Sequence, residues 1–285
     1  MKKLLLVILL MGFGQSYAQD LVPIPYFQRY WPFLFPPHLE PVVDPNDICV
    51  AGEDSLVEIV PTTLERNPKA TYCKRSMDIV DTIVIHHSET PSSSTVEDIN
   101  EFHLNRGTAD DPWYMIAYHY AVTAPYKGDK KPESKIFQGR PLDLVGAHAG
   151  SDAFETIDEK QKKILEENPT SCGSDGGVFS PNTSMIIDGK KTKANNTSVG
   201  VVVIGNYSPF SRSNPNGYPK SKVRNPTPET IDMVARLSCQ LQKKNPSITK
   251  IRWHNFYKAT SCPGNIVKYI QTIRDKAGSY GCKFN

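Results

Sequence analysis

The sequence predicts an α/β protein: a single mixed central β-sheet flanked by helices, with a proline-rich amino-terminal arm and a surface insertion. Three observations carry this. IVDTIVI (79–85) and SVGVVVIGNY (198–207) are β-branched apolar runs of strand length, the pattern of strands buried on both faces. TVEDINEFHLNRG and PTPETIDMVARLSCQLQKKN carry apolar residues at helical intervals. Strands and helices alternate along the chain, which places helices over a sheet.

Taken in order, the chain opens MKKLLLVILLMGFGQSYAQD, with Lys2 and Lys3 ahead of an apolar stretch that closes on Ser16 and Ala18. This is the pattern of a secretory signal peptide over residues 1–18. The apolar run from Leu4 to Phe13 is shorter than the roughly 20 residues that cross a bilayer, and no later run is longer, so no transmembrane anchor is expected. A secreted or periplasmic product follows. Residues 19–77 read as a proline-rich extension, since PYFQRYWPFLFPPHLEP can run neither as helix nor as central strand.

A folded domain is expected over 78–285. After the first buried strand, Thr95 is placed to cap a helix carrying Val96, Ile99, Phe102 and His103, with Gly107 as its stop. MIAYHYAVT (115–123) and SKIFQGR (134–140) read as strands. The pattern breaks at 151–195, where a charged helical piece, ETIDEKQKKILEEN, precedes the turn-rich SCGSDGGVFSPNTS; this is the insertion. Beyond the 198–207 strand, Thr227 and Pro228 open a second amphipathic helix. ITKIRWH (248–254) is a last strand, and a helix starts near PGNIVKYIQTIRDK.

Composition narrows the function. With Lys2 and Lys3 removed in the leader, the formal net charge is about +1, so nucleic acid is not an implied partner. Six cysteines, at 49, 73, 172, 239, 262 and 282, in an exported chain read by default as disulfides.

Chemistry gathers in two stretches. DTIVIHHSET ends on His86 and His87, whose side chains point to opposite faces of a strand. In WHNFYKATSCPG, His254 leaves its strand on the polar face shared with Lys250 and Arg252, and Cys262 follows eight residues later. Cys262 precedes Pro263, the expected first helical residue, so its thiolate is expected at a helix amino terminus, where the dipole favours negative charge. Two imidazoles and a thiolate suffice for a catalytic zinc, which takes three protein ligands and keeps a position for water. No contiguous motif such as HExxH or paired CxxC is present.

IVIHHSET, WYMIAYHY, IFQGRP, VGAHAG, NTSVGVVVIGNY and HNFYKATSCPG, in this order, resemble the type 2 N-acetylmuramoyl-L-alanine amidases, both phage amidases and peptidoglycan recognition proteins. The resemblance covers about 79–275, interrupted by the insertion, and implies a fold of that kind. It implies one catalytic Zn2+ on His86, His254 and Cys262, with Tyr118 and Thr260 as catalytic residues that donate hydrogen bonds to an oxyanion or orient water. It implies that His148, in VGAHAG, lines a substrate cleft. The implied reaction is hydrolysis of the amide between N-acetylmuramic acid and L-alanine, with peptidoglycan and its muropeptides as partners. One branch of the family carries a glutamate base in the strand matching SVGVVVIG; here that strand holds only Val201, Val202, Val203 and Ile204, and the base is unassigned.

With Cys262 taken as a ligand, five cysteines remain. Proximity in sequence and the packing of terminal helices pair Cys49 with Cys73 and Cys239 with Cys282, leaving Cys172 over. His87, His103 and His119 are expected to be packed framework residues. Two other readings stay open: a module of the same fold that binds muropeptide without cutting it, and a thiol hydrolase using Cys262 with His254 as base.

Overall fold

The computed structural model describes residues 56–124, 134–182, 185–210 and 223–285. The expected signal peptide, most of the proline-rich extension and Cys49 lie outside the described residues.

Eleven strands and six helices are assigned among the described residues. The strands are β1 (Ile59–Val60), β2 (Tyr72–Lys74), β3 (Thr82–His87), β4 (Tyr120–Val122), β5 (Ile136–Gln138), β6 (Phe154–Thr156), β7 (Ser171–Gly173), β8 (Ser180–Pro181), β9 (Lys191–Lys193), β10 (Ser198–Val203) and β11 (Lys250–Trp253). The helices are α1 (Val96–Leu104), α2 (Glu159–Glu167), α3 (Ala194–Thr197), α4 (Pro228–Lys244), α5 (His254–Tyr257) and α6 (Ile270–Ser279). Six strands form one mixed sheet in the order β1-β5-β4-β10-β3-β11. β4, β10, β3 and β11 run parallel to one another, and β5 runs antiparallel to β4. The chain enters this sheet at β1, inside the proline-rich segment, where Ile59 and Val60 pair with Ile136 and Phe137.

The uniformly apolar runs become β3 and β10, every residue of which is buried. Strand alternation then sorts their side chains between two cores. Ile83, Ile85, Val199, Val201 and Val203 pack with Ile231, Val234 and Leu237 of α4 and with Ile270 and Ile273 of α6. Val202 and Ile204 pack on the other face with Val96 and Ile99 of α1. Each fully buried aliphatic side chain contributes about 1.5–3 kcal/mol by leaving water. Of these three covering helices, α1 and α4 start where the sequence places them. Thr95 caps α1 in a reciprocal capping box with Asp98, and Thr227 caps α4 with Pro228 in its first turn.

Three expectations are corrected. The 115–123 strand pairs only over β4; Met115 to His119 are largely buried but irregular. Only His119 reaches β10, its N–H donating to the Gly200 carbonyl; before it the backbone bonds to side chains and loops, as when the Ile116 N–H donates to Asn100 and Arg140 donates to the Ile116 carbonyl. The helix expected directly after Cys262 begins only at Ile270, behind a 3-10 turn over Gly264–Tyr269. Gly264, at φ +65°, passes so close to Tyr207 that a Cβ there would lie 2.2 Å from its carbonyl oxygen, and the chain must clear that contact before it can wind as an α-helix.

The third correction is the cysteine pairing. Cys73 bonds to Cys172 and not to Cys49, because β2 and β7 are antiparallel neighbours that set these two residues directly opposite, with Cα atoms 4.0 Å apart. Cys172, expected to be left over, is thereby paired. The second disulfide joins Cys239 and Cys282, as expected, and ties α4 to the carboxyl terminus.

Candidate metal centre

The site forms where the parallel strands end. β3 and β11 are in register up to Ile85 opposite Trp253, so the next residues, His86 and His254, emerge side by side on the same face. Their ring centroids are 4.6 Å apart. Cys262 returns to this edge through the loop after α5; its N–H donates to Thr260 Oγ1 at 3.3 Å and its carbonyl accepts from the Asn255 N–H at 3.1 Å. Donor atoms of His86, His254 and Cys262 all lie within 4.8 Å of one another.

The donors fit a zinc ion. His86 Nδ1 is 3.6 Å from Cys262 Sγ, close to the roughly 3.5 Å between a sulfur and a nitrogen bound tetrahedrally at about 2.3 and about 2.0 Å. His254 Nε2 is buried without a hydrogen-bond partner, a state that a protein rarely leaves uncompensated. Burial, then the neighbouring His254, His148 and His87, holds His86 well below the ordinary histidine pKa. Burial, aided by Lys258, takes His254 down to about 4 against opposing effects of the Ala149 backbone and Asp152. Both imidazoles are therefore neutral near pH 7, the form that ligates metal.

Cys262 presents the opposite case. Burial pushes its thiol up to about 12, only partly offset by the His87 N–H that donates to Sγ at 3.3 Å. With neutral histidines beside it, none of the described residues lends Cys262 the positive charge that makes a free thiolate nucleophile. A coordinated dication does supply it. The thiol-hydrolase reading loses its support on this point.

Around the three donors, Tyr118 is half-buried, with its ring 5.0 Å from that of His86. Burial, then the nearby Cys262, raises its pKa, and the phenol stays protonated. Gly139 makes its placement possible, since a Cβ there would lie 2.5 Å from the Tyr118 carbonyl oxygen. Thr260 sits two residues before Cys262 with its oxygen on the Cys262 N–H. His148 is only 4% exposed and stands behind His86, with Nδ1 3.0 Å from His86 Nε2, away from open solvent.

His87 faces the other core, where its Nδ1 accepts the Tyr207 N–H at 3.1 Å. His119 is locked between the Gly200 N–H and the Leu144 carbonyl, and His103 stacks on Trp113 at 5.2 Å.

Three site-forming residues are not evident from the sequence. Arg140, within IFQGRP, is buried and donates to the carbonyls of Met115, Ile116 and Val145, bracing the loop that carries Tyr118. Arg75 is likewise buried and donates to the carbonyls of Asn195, Asn196 and Ser198 at 2.8 Å each, holding the start of β10. Their partners are distant main-chain oxygens, which no local spacing announces. Glu89 follows the two histidines at φ +60°, a conformation unusual for a residue with a side chain, and its charge acts on both Tyr118 and Cys262. At the opposite, amino-terminal ends of the strands, a cavity of about 400 Å³ includes Asp81, Gln161 and Lys250; there Asp81 is already bonded to Thr82, Gln161 and Lys250.

Fold and site together define an α/β protein with a compact pair of histidines and a cysteine at the carboxyl edge of its parallel strands. The chain belongs to the N-acetylmuramoyl-L-alanine amidase family, whose model matches residues 75–265. Among solved structures it is similar to the N-acetylmuramoyl-L-alanine amidase LysC from Clostridium intestinale URNW, at 21% identity over 78% of this chain and 97% of that one, with a TM-score of 0.46. It is similar to the Ph2119 endolysin of a Thermus scotoductus MAT2119 bacteriophage, at 16% identity over 77% and 99% of the two chains, TM-score 0.40. Drosophila PGRP-LB is similar at 20% identity over 73% and 89%, TM-score 0.42. No curated protein sequence matches.

Proposed function

We propose that this protein is an exported, zinc-dependent N-acetylmuramoyl-L-alanine amidase, which hydrolyses the amide between N-acetylmuramic acid and the L-alanine of peptidoglycan stem peptides. The observation that carries the reading is the convergence of His86, His254 and Cys262 within 4.8 Å, in a chain of the amidase family. These three residues would hold the ion. Bound zinc supplies a water of pKa lowered from about 15.7 towards about 7 and polarises the substrate carbonyl.

The chain supplies the rest. Tyr118, kept protonated, donates to the oxygen that gains charge as the amide carbon becomes tetrahedral; such a donor is worth roughly 3–4 kcal/mol. Thr260, whose oxygen is already taken by the Cys262 N–H, has its hydroxyl hydrogen to offer substrate or water. β10 contributes no carboxylate: its residues are Ser198 to Val203, all buried. The leader-like amino terminus and two disulfides support export, and no helix among the described residues is long and apolar enough to cross a membrane.

The test is to incubate the mature protein with purified peptidoglycan and look for stem peptides released with a free amino-terminal L-alanine. Chelation should stop release and added zinc restore it; Cys262→Ser should lose both zinc and turnover while keeping its circular dichroism spectrum. Glycan fragments or cross-link cleavage in place of stem peptides would overturn the amidase reading. Binding to peptidoglycan without any cleavage would replace it with the binding-module reading.

A further inference from the structure

Resting on the metal-site reading, we propose that His148 is a positioning residue, which fixes His86 as a Nδ1 donor towards Cys262 and His254 through a one-way chain of hydrogen bonds ending on the Ala194 carbonyl. The direction of the chain follows from counting hydrogens. Ser198 Oγ lies 2.5 Å from the Ala194 oxygen, which can only accept, so the single hydroxyl hydrogen is used there. Towards His148 Nε2, 3.4 Å away, Ser198 Oγ therefore offers only a lone pair, and Nε2 must carry the hydrogen.

His148 is only 4% exposed, and so deep a burial favours the uncharged ring. A neutral ring with hydrogen on Nε2 has a bare Nδ1, which accepts from His86 Nε2 at 3.0 Å. His86, fully buried, is uncharged for the same reason and then has its lone pair on Nδ1, the atom that faces Cys262 Sγ at 3.6 Å. Reversing any link would leave two hydrogens, or two lone pairs, facing each other in a buried site.

The ring is also held mechanically. Its backbone is fixed by Asn195 Oδ1, which accepts from the N–H groups of both His148 and Ala149 at 3.1 and 2.8 Å. Its flanks are glycines: a Cβ on Gly146 or Gly200 would lie 2.4 or 2.5 Å from His148 Cδ2. VGAHAG and NTSVG are thus the two walls of one slot. Such outer partners of ligating histidines fix both tautomer and orientation.

Two measurements test this. In metal-free wild-type protein, nitrogen chemical shifts of the His86 ring should show the hydrogen on Nε2; the Nδ1–H tautomer would overturn the proposal whether or not zinc ever binds. In chelator competition, His148→Leu should bind zinc about 10–100-fold more weakly than wild type, while His148→Asn, which keeps an acceptor near the Nδ1 position, should recover most of the loss. A folded His148→Leu with wild-type zinc affinity, changed only in KM, would make His148 a substrate contact and refute the positioning role. Failure of the wild type itself to bind zinc would instead sink the metal-site reading, leaving the tautomer result to stand by itself.

Discussion

His86 and His87 are adjacent, equally buried and chemically identical, yet their surroundings differ completely. Strand alternation sends His86 to the face shared with His254 and Cys262, and His87 to the face of α4 and α6, where it accepts the Tyr207 N–H. His86→Ala should therefore abolish zinc binding with the fold intact. His87→Ala should retain zinc but lose about 1–3 kcal/mol of unfolding free energy, since it strands a buried amide donor. Denaturant titration and metal analysis of the two purified variants check both; zinc loss in both alike would contradict the asymmetry. That two faces exist is legible from sequence alone. The place of His148 is not, because it depends on Gly146 and Gly200 approaching from different parts of the chain.

Among elements, the insertion is the case where local pattern and tertiary pairing diverge. Its helix is legible: the charged 155–168 segment holds α2, opened by a reciprocal capping box between Asp158 and Gln161. Its attachment is not. Cys172 on β7 meets Cys73 on β2 across 99 residues of chain, and Lys250 on β11 bridges Asp81 and Glu155 at 2.8 and 3.2 Å. In the chain-entropy view, a loop of that length gives a disulfide roughly 2–5 kcal/mol of stabilisation. The Cys73→Ala/Cys172→Ala double variant should lose stability in that range yet still bind zinc, because neither cysteine touches the site; unchanged denaturation would show that the insertion is held by its other contacts alone.

For the whole molecule, every described histidine has a pKa below its ordinary value, His87 to about 4 and His103 to about 3, in each case chiefly through burial. On unfolding these rings return to about 6.5 and take up protons that the native state refuses. Below pH 6.5 the unfolded state binds more protons, so stability falls as pH falls, by up to about 1.4 kcal/mol per pH unit for each such histidine, until the folded values are reached. Metal-free protein should thus be markedly less stable at pH 5 than at pH 7.5 in denaturant titrations. A flat profile across that range would show that these histidines are protonated, or exposed, in the native state.

The α/β class, the two central strands, the capped helices, the sidedness of the histidine pair and the ordered motifs of the amidase family can all be read along the chain. Each of these is written in periodicity, capping chemistry or residue order within a short window. Which cysteines pair, where β4 begins, how far α6 stands from Cys262, and that His148 backs His86 follow from the folded chain and not from local pattern. Those outcomes depend on long-range backbone approaches, such as Gly264 against Tyr207 and Gly139 against Tyr118, and on buried arginines whose partners are distant carbonyls. A hydrogen bond to a carbonyl a hundred residues away leaves no mark in local spacing, because any residue type can supply that oxygen.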